Sequence, residues 1–152
     1  MPKTVDSLSE LRYSGINNLH TKIPERITVI DDDSITNLFC KLIIQQALGV
    51  NIEIRTFTKP QKALDTIEME YIDHPVNTIL FLDINMPGLN GWEVLEKLEG
   101  SEIDIKKYIT VYMLSSSVDP RDRKRSEGSP LVKGFIEKPL DVPIVRRVCG
   151  IK

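Results

Sequence analysis

Ile27-Thr28-Val29-Ile30-Asp31-Asp32-Asp33 and, much later, Thr78-Ile79-Leu80-Phe81-Leu82-Asp83-Ile84-Asn85-Met86-Pro87-Gly88 are the stretches that decide the fold. Each is a short apolar run that breaks off at a carboxylate. Runs of this length, rich in β-branched residues and bounded by turn formers, read as buried strands. Carboxylates at the mouths of two buried strands converge at the carboxyl edge of one sheet, which is where open α/β folds bind ligands. Three crowded carboxylates repel one another unless a cation sits among them, and hard oxygen ligands suit magnesium.

Working outward, Ile35, Leu38, Phe39, Leu42 and Ile43 repeat at helical spacing, which predicts a helix over 34–48 ended by Gly49. Residues 52–57 alternate apolar and polar, as an outer strand does. A helix over 59–72 with Ala63, Leu64 and Ile67 inward precedes the strand 78–83. Asn90 and Glu93 form a capping box for a helix running to Leu98, and Gly100 ends it. Ile109 to Leu114 is a fourth strand running into Ser115-Ser116-Ser117. Residues 119–128 form the helix with the fewest apolar anchors, 133–137 a fifth strand, and 141–149 a last helix. Strand and helix alternate five times. That order predicts an α/β fold with a doubly wound, five-stranded parallel sheet covered by helices on both faces. Residues 1–25 read as a polar leader, in which Ser7-Leu8-Ser9-Glu10 opens a short helix around Leu8–Ser14 or a free tail, and 26–152 as the domain.

With 152 residues the chain makes one domain. Its net charge of −2 speaks against nucleic-acid or membrane-surface binding. The N-terminus lacks the basic-then-apolar layout of a signal peptide, and no run approaches the roughly 18 apolar residues a membrane span needs. Cys40 and Cys149 stand alone, without a CxxC pair, as thiols do in a reducing compartment, so a cytoplasmic location is expected. His20 and His74 fit no ligand spacing and read as surface residues. The basic and acidic residues between Asp119 and Glu127 read as a solvated face.

Aligned at one sheet edge, Asp31, Asp32, Asp83, Ser115 and Lys138 make a metal-assisted acceptor for an anionic group. Two carboxylates hold magnesium, a third is the nucleophile, and a hydroxyl and an ammonium bind phosphoryl oxygens. With Val29-Ile30-Asp31-Asp32-Asp33, Leu82-Asp83-Ile84-Asn85-Met86-Pro87, Gly91, Met113-Leu114-Ser115-Ser116 and Glu137-Lys138-Pro139 in this order, the chain resembles a response-regulator receiver domain, the flavodoxin-like (βα)5 module of two-component signalling.

The resemblance implies that Asp83 is the phosphoacceptor, that Asp31, Asp32, Asp83 and the Asn85 carbonyl hold Mg2+, and that Ser115, Ser116 and Lys138 contact the phosphoryl group. It implies a cis Lys138–Pro139 bond. It also implies that on phosphorylation Ser115 moves inward and Phe135, the switch aromatic, follows. The expected donor is a phosphohistidine of a histidine kinase or phosphotransfer protein. With no room for an output domain, the signal would pass to a downstream protein target from a stand-alone, chemotaxis-type monomer or weak dimer. Such a chain is no enzyme toward a separate substrate, although it helps catalyse its own phosphorylation and dephosphorylation. The alternatives are a magnesium-dependent phosphatase of the haloacid-dehalogenase class, whose Asp-x-Asp motif is missing because Asn85 follows Asp83, and a receiver that binds its partner unphosphorylated.

Overall fold

The computed structural model describes residues 13–15, 23–117 and 119–151. The chain runs β1 (Tyr13–Gly15), β2 (Arg26–Ile30), α1 (Ser34–Leu48), β3 (Glu53–Phe57), α2 (Pro60–Tyr71), β4 (Thr78–Asp83), α3 (Gly91–Glu99), a 3-10 turn (Ile105–Lys107), β5 (Ile109–Ser115), α4 (Pro120–Glu127), β6 (Val132–Glu137) and α5 (Val142–Val148). The strands lie in the order β1-β6-β5-β4-β2-β3, and β2 to β6 are all parallel. This is the doubly wound arrangement expected from the alternation of strand and helix, and the flavodoxin-like one that the resemblance implies.

β4 is central and wholly buried, because parallel strands covered on both faces carry continuous apolar runs. On one face Ile30, Leu80, Leu82, Val111, Met113 and Phe135 meet the inner sides of α2 and α3. On the other face Ile27, Val29, Phe81 and Tyr112 meet Cys40 and Ile44 of α1 and Ile144, Val145 and Val148 of α5. The alternation along each strand feeds both cores. At the end of the sheet away from the acidic loops, the buried Arg26 guanidinium donates to Glu53 at 2.7 Å and to the Tyr71 hydroxyl at 3.3 Å.

Two features depart from the sequence reading. The leader contributes a strand: Tyr13–Gly15 pairs antiparallel with β6, so Tyr13 and Ser14 are extended where a helix was one expectation. The proposed capping box at Ser7–Glu10 and His20 lie outside the described residues. The second departure is the face that α1 buries. The apolar stripe that revealed the helix points to solvent: Ile35, Leu38 and Leu42 are 76%, 59% and 56% exposed, while the opposite side buries Asn37, Cys40, Ile44 and Ala47.

The helix starts follow their local signals. Asp33 caps α1, accepting from the Ile35 amide at 2.9 Å. The reciprocal Asn90–Glu93 box caps α3. α4 is capped by Asp119 and buries only Ser126 of its own residues, which matches its scarcity of apolar anchors. No helix among the described residues is long and apolar enough to cross a membrane. Cys40 and Cys149 are buried and unpaired, and burial pushes both thiols up to about 12. His74 is exposed.

Candidate functional site

Four strand ends and the loops that follow them build the site. β2 ends at Ile30, and the chain turns at once through Asp31-Asp32-Asp33 into α1. The turn is pinned from two sides. The Asp33 amide donates to Asp31 Oδ1 at 2.9 Å, and Asn37 Nδ2 donates to the Asp31 carbonyl at 2.9 Å and to the Phe57 carbonyl at 3.2 Å. Asn37 is a site-shaping residue that the sequence reading missed. The signal was available: a polar residue on the side of α1 opposite the apolar stripe.

Asp83 closes β4 and is only 2% exposed. The loop after it is set by two glycines. Gly88 holds φ +79°, a left-handed turn position that suits a residue without Cβ. Gly91 packs on the backbone at the end of β4, donating its amide to the Ile84 carbonyl at 2.8 Å. A Cβ built there would lie 2.4 Å from the Asp83 carbonyl oxygen.

β6 delivers Lys138 across the cleft. Its ammonium lies 2.6 Å from Asp31 Oδ2 and 3.1 Å from Asp83 Oδ1. The Lys138–Pro139 bond is cis, as the resemblance implies. Oxygens of Asp31, Asp32 and Asp83 lie within 4.8 Å of one another. Asp31 and Asp83 are buried and Asp32 is exposed, so the trio opens to solvent on one side. Such a set of hard, anionic oxygens fits a small divalent cation that keeps several waters. Lys138 already answers part of the charge.

The electrostatics follow from this crowding. Burial, and then the neighbouring Asp31 charge, raise the Asp83 carboxyl to about 6, against the pull of Lys138 and the Asn85 amide, which donates to it at 3.3 Å. Burial opposes the Lys138 charge, but the hydrogen bond to Asp31 and the Asp83 charge outweigh it, and its pKa stands above the ordinary value. Lys138→Met would leave the buried Asp31 carboxylate without its ammonium. A loss of about 2 kcal/mol is expected in urea unfolding at neutral pH, since an unpaired buried charge costs more than an ordinary lost hydrogen bond. Unchanged stability would mean that the ion pair contributes nothing beyond its own desolvation.

Ser115 ends β5 and is buried. Its hydroxyl donates to the Ser117 carbonyl at 2.6 Å and accepts from the Ser117 amide at 3.2 Å, so it is turned into its own loop. Ser116 and Asn85 are exposed on the flanking loops. Phe135 is buried at 1% exposure, with the Arg123 guanidinium 5.9 Å from its ring centre. Trp92 is buried, with the Arg125 guanidinium 4.6 Å from its ring centre.

The fold and site together define a doubly wound α/β domain with an acidic pocket and an opposed lysine at the carboxyl edge of its sheet. Residues 27–147 match the response regulator receiver domain family, and the chain belongs to it. A two-component response regulator from Cytophaga hutchinsonii is 33% identical, with 85% of this chain and 96% of that one covered and a TM-score of 0.77. A response regulator receiver protein from Dyadobacter fermentans is 25% identical, covering 84% of this chain and 98% of that one at a TM-score of 0.72. The Vibrio cholerae chemotaxis protein CheY4, at 19% identity, covers 79% of this chain and 91% of that one with a TM-score of 0.61 and shares the fold. No curated protein sequence matches. Receiver domains are signalling modules that work with histidine kinases or phosphotransfer proteins and with downstream targets, so the phosphatase alternative is set aside.

Proposed function

We propose that this receiver is a phosphoacceptor switch in which Asp83 takes a phosphoryl group from a protein phosphohistidine. The observation that carries the reading is the placement of Asp83 at the end of the central strand, 3.1 Å from the Lys138 ammonium and beside Asp31 and Asp32. An Asp83 carboxylate oxygen attacks phosphorus, the phosphorus–nitrogen bond breaks, and the imidazole leaves with that electron pair. Lys138 turns from the carboxylates toward a phosphoryl oxygen. The Ser115 hydroxyl leaves the Ser117 carbonyl for another, and the Ser116 amide reaches a third. Phe135 stays packed in the core and transmits the adjustment of its strand.

Asp31, Asp32, Asp83 and the Asn85 carbonyl are the groups that would hold Mg2+. The ion, when bound, neutralises the charge gathered on the phosphoryl oxygens. Phosphate incorporation from acetyl phosphate, read as intact mass and mapped to one residue, tests the reading. Stoichiometric labelling elsewhere would refute it. No incorporation from any donor would leave the phosphorylation-independent binding role.

Magnesium should also stabilise the protein. At a concentration ten times its dissociation constant the gain is about 1.4 kcal/mol, a few degrees in melting temperature. Asp32→Ala should remove that gain. An unchanged magnesium response in the variant would place the ion elsewhere.

A protein donor is favoured by the surface beside the site. Ile35, Leu38, Phe39 and Leu42 form an exposed stripe along α1. A cleft of about 340 Å³ lies between Ile35 and Phe39 on one side and Lys138, Pro139 and Leu140 on the other. An apolar patch of this kind, rimmed by the acidic loop, suits a helix of a phosphohistidine-bearing partner laid against α1. The domain proper, residues 26–152, acts in the cytoplasm as a monomer or weak dimer in this reading.

A further inference from the structure

One strand of the sheet comes from outside the segment that matches the family. β1 lies before residue 27 and pairs antiparallel with β6, with Tyr13 opposite Ile136, Ser14 opposite Phe135 and Gly15 opposite Gly134. The bonding edge follows from the neighbouring strand. The Lys138 amide donates to the Ser115 carbonyl of β5 at 2.7 Å. Successive backbone groups along a strand alternate sides, so Ile136 also faces β5 and Phe135 turns its amide and carbonyl outward. Ser14 and Phe135 are therefore the pair that exchanges hydrogen bonds. β1 is anchored on the backbone of the residue whose ring fills the core under Arg123.

This anchorage is thin. A three-residue strand makes few bonds against the conformational freedom that its ordering removes. It also covers what would otherwise be an unpaired edge, the kind of surface to which extended segments add. The anchored residue sits close to the groups that a phosphoryl group would move. β6 ends at Glu137, directly before Lys138, and Glu137 lies opposite Ser115. Both ends of this link are tied in the present state, Lys138 to Asp31 and Asp83, and the Ser115 hydroxyl to Ser117. Redirecting both toward a phosphoryl oxygen pulls on the last residues of β6. Any tilt or slip there costs β1 the Ser14–Phe135 pair, and among the described residues β6 is the strand that holds it.

We propose that the outer edge of β6 is a strand-binding site for an extended polypeptide segment, occupied by the chain's own Tyr13–Gly15, and that phosphorylation of Asp83 empties it. The inference rests on Asp83 being the acceptor. Hydrogen exchange on the full chain, with and without acetyl phosphate and magnesium, tests it, the extent of phosphorylation being read as intact mass on the same sample. The Phe135 amide is expected to be protected in the unmodified protein and to exchange about tenfold faster or more once Asp83 is phosphorylated. Phosphorylated protein with unchanged or slower exchange at Phe135 overturns the coupling alone. Absence of the mass gain overturns the acceptor reading, and the coupling with it.

A variant makes the same test from the other side. Ser14→Pro deletes the amide that faces the Phe135 carbonyl, and should speed Phe135 exchange in the unmodified protein. Coupling between two equilibria is reciprocal, so the variant should bind magnesium beryllofluoride, a non-covalent mimic of the acyl phosphate, about threefold tighter or more. Faster exchange with unchanged or weaker beryllofluoride affinity would show that β1 is only a passive cover, and would overturn the proposal.

Discussion

Asp83→Asn is expected to abolish phosphate incorporation and, at the same time, to make the fold more stable at neutral pH. The first effect follows from removing the only carboxylate oxygen that the proposal gives to the phosphoryl group. The second follows from the electrostatics of the site. Burial and the Asp31 charge raise the Asp83 carboxyl to about 6 in the folded chain, while an unfolded aspartate titrates near 3.9. A folded value above the unfolded one means that ionisation costs stability. The penalty is absent below about pH 4, grows as pH rises, and is complete above the folded value. Two units correspond to about 3 kcal/mol at most. For a domain of this size that is on the order of 5–10 °C in melting temperature.

Asparagine keeps the shape and an acceptor oxygen and discards the charge. The stability difference between wild type and variant should therefore be largest at pH 7.5 and vanish near pH 4. Taking that difference cancels the contributions that the two proteins share. Saturating magnesium should narrow the gap, since a divalent ion relieves the same repulsion in the wild type. A gain that is flat from pH 4 to 8, or a loss at every pH, would show that the Asp83 charge is fully compensated by Lys138.

The second large effect is expected at Gly91, where local and tertiary reasoning give opposite signs. Gly91 opens α3. On helix propensity alone, and from the reduced freedom of the unfolded chain, Gly91→Ala should stabilise by up to about 1 kcal/mol. The structure predicts the reverse. The new Cβ would lie 2.4 Å from the Asp83 carbonyl oxygen and 2.8 Å from Ile84 Cα. Both are backbone atoms at the end of the central strand, so no side chain can swing away. Either α3 moves off the sheet or the end of β4 shifts, and a net loss of about 3 kcal/mol is expected.

Gly100→Ala is the control. Its Cβ would meet the Glu96 carbonyl oxygen at 3.4 Å, an ordinary contact. That change should stay within about 0.5 kcal/mol. Urea unfolding reads both variants, with a lower midpoint and an unchanged slope expected for Gly91→Ala. If β4 is what yields, phosphorylation of Asp83 should slow as well. A Gly91→Ala protein as stable as the wild type would show that the loop after Asp83 adjusts freely, and that the tight packing on the acceptor strand is not a constraint.

Much of this protein was legible without coordinates, and for a specific reason. A buried parallel strand must be apolar throughout, so a carboxylate directly after one is conspicuous. Asp31 after Ile30 and Asp83 after Leu82 therefore marked one sheet edge from local pattern alone. The helix caps at Asp33 and Asn90 were equally local, because a cap is a bond between residues two or three apart.

The remaining features arise where distant segments meet. The stripe Ile35, Leu38, Phe39 and Leu42 announced a helix but not which side faces the core, and packing against α5 and the sheet buried Asn37 and Cys40 instead. β1 has three residues, too few for any periodicity, and its pairing with β6 spans more than a hundred positions of sequence. The buried position of Phe135, the turn of the Ser115 hydroxyl toward Ser117 and the closeness of Gly91 to Asp83 belong to the same class. Sequence pattern records what each residue prefers as a neighbour, water or oil, helix or strand. Which backbone then arrives at contact distance is decided only when the whole chain packs, because contacts of that range depend on every element lying between them.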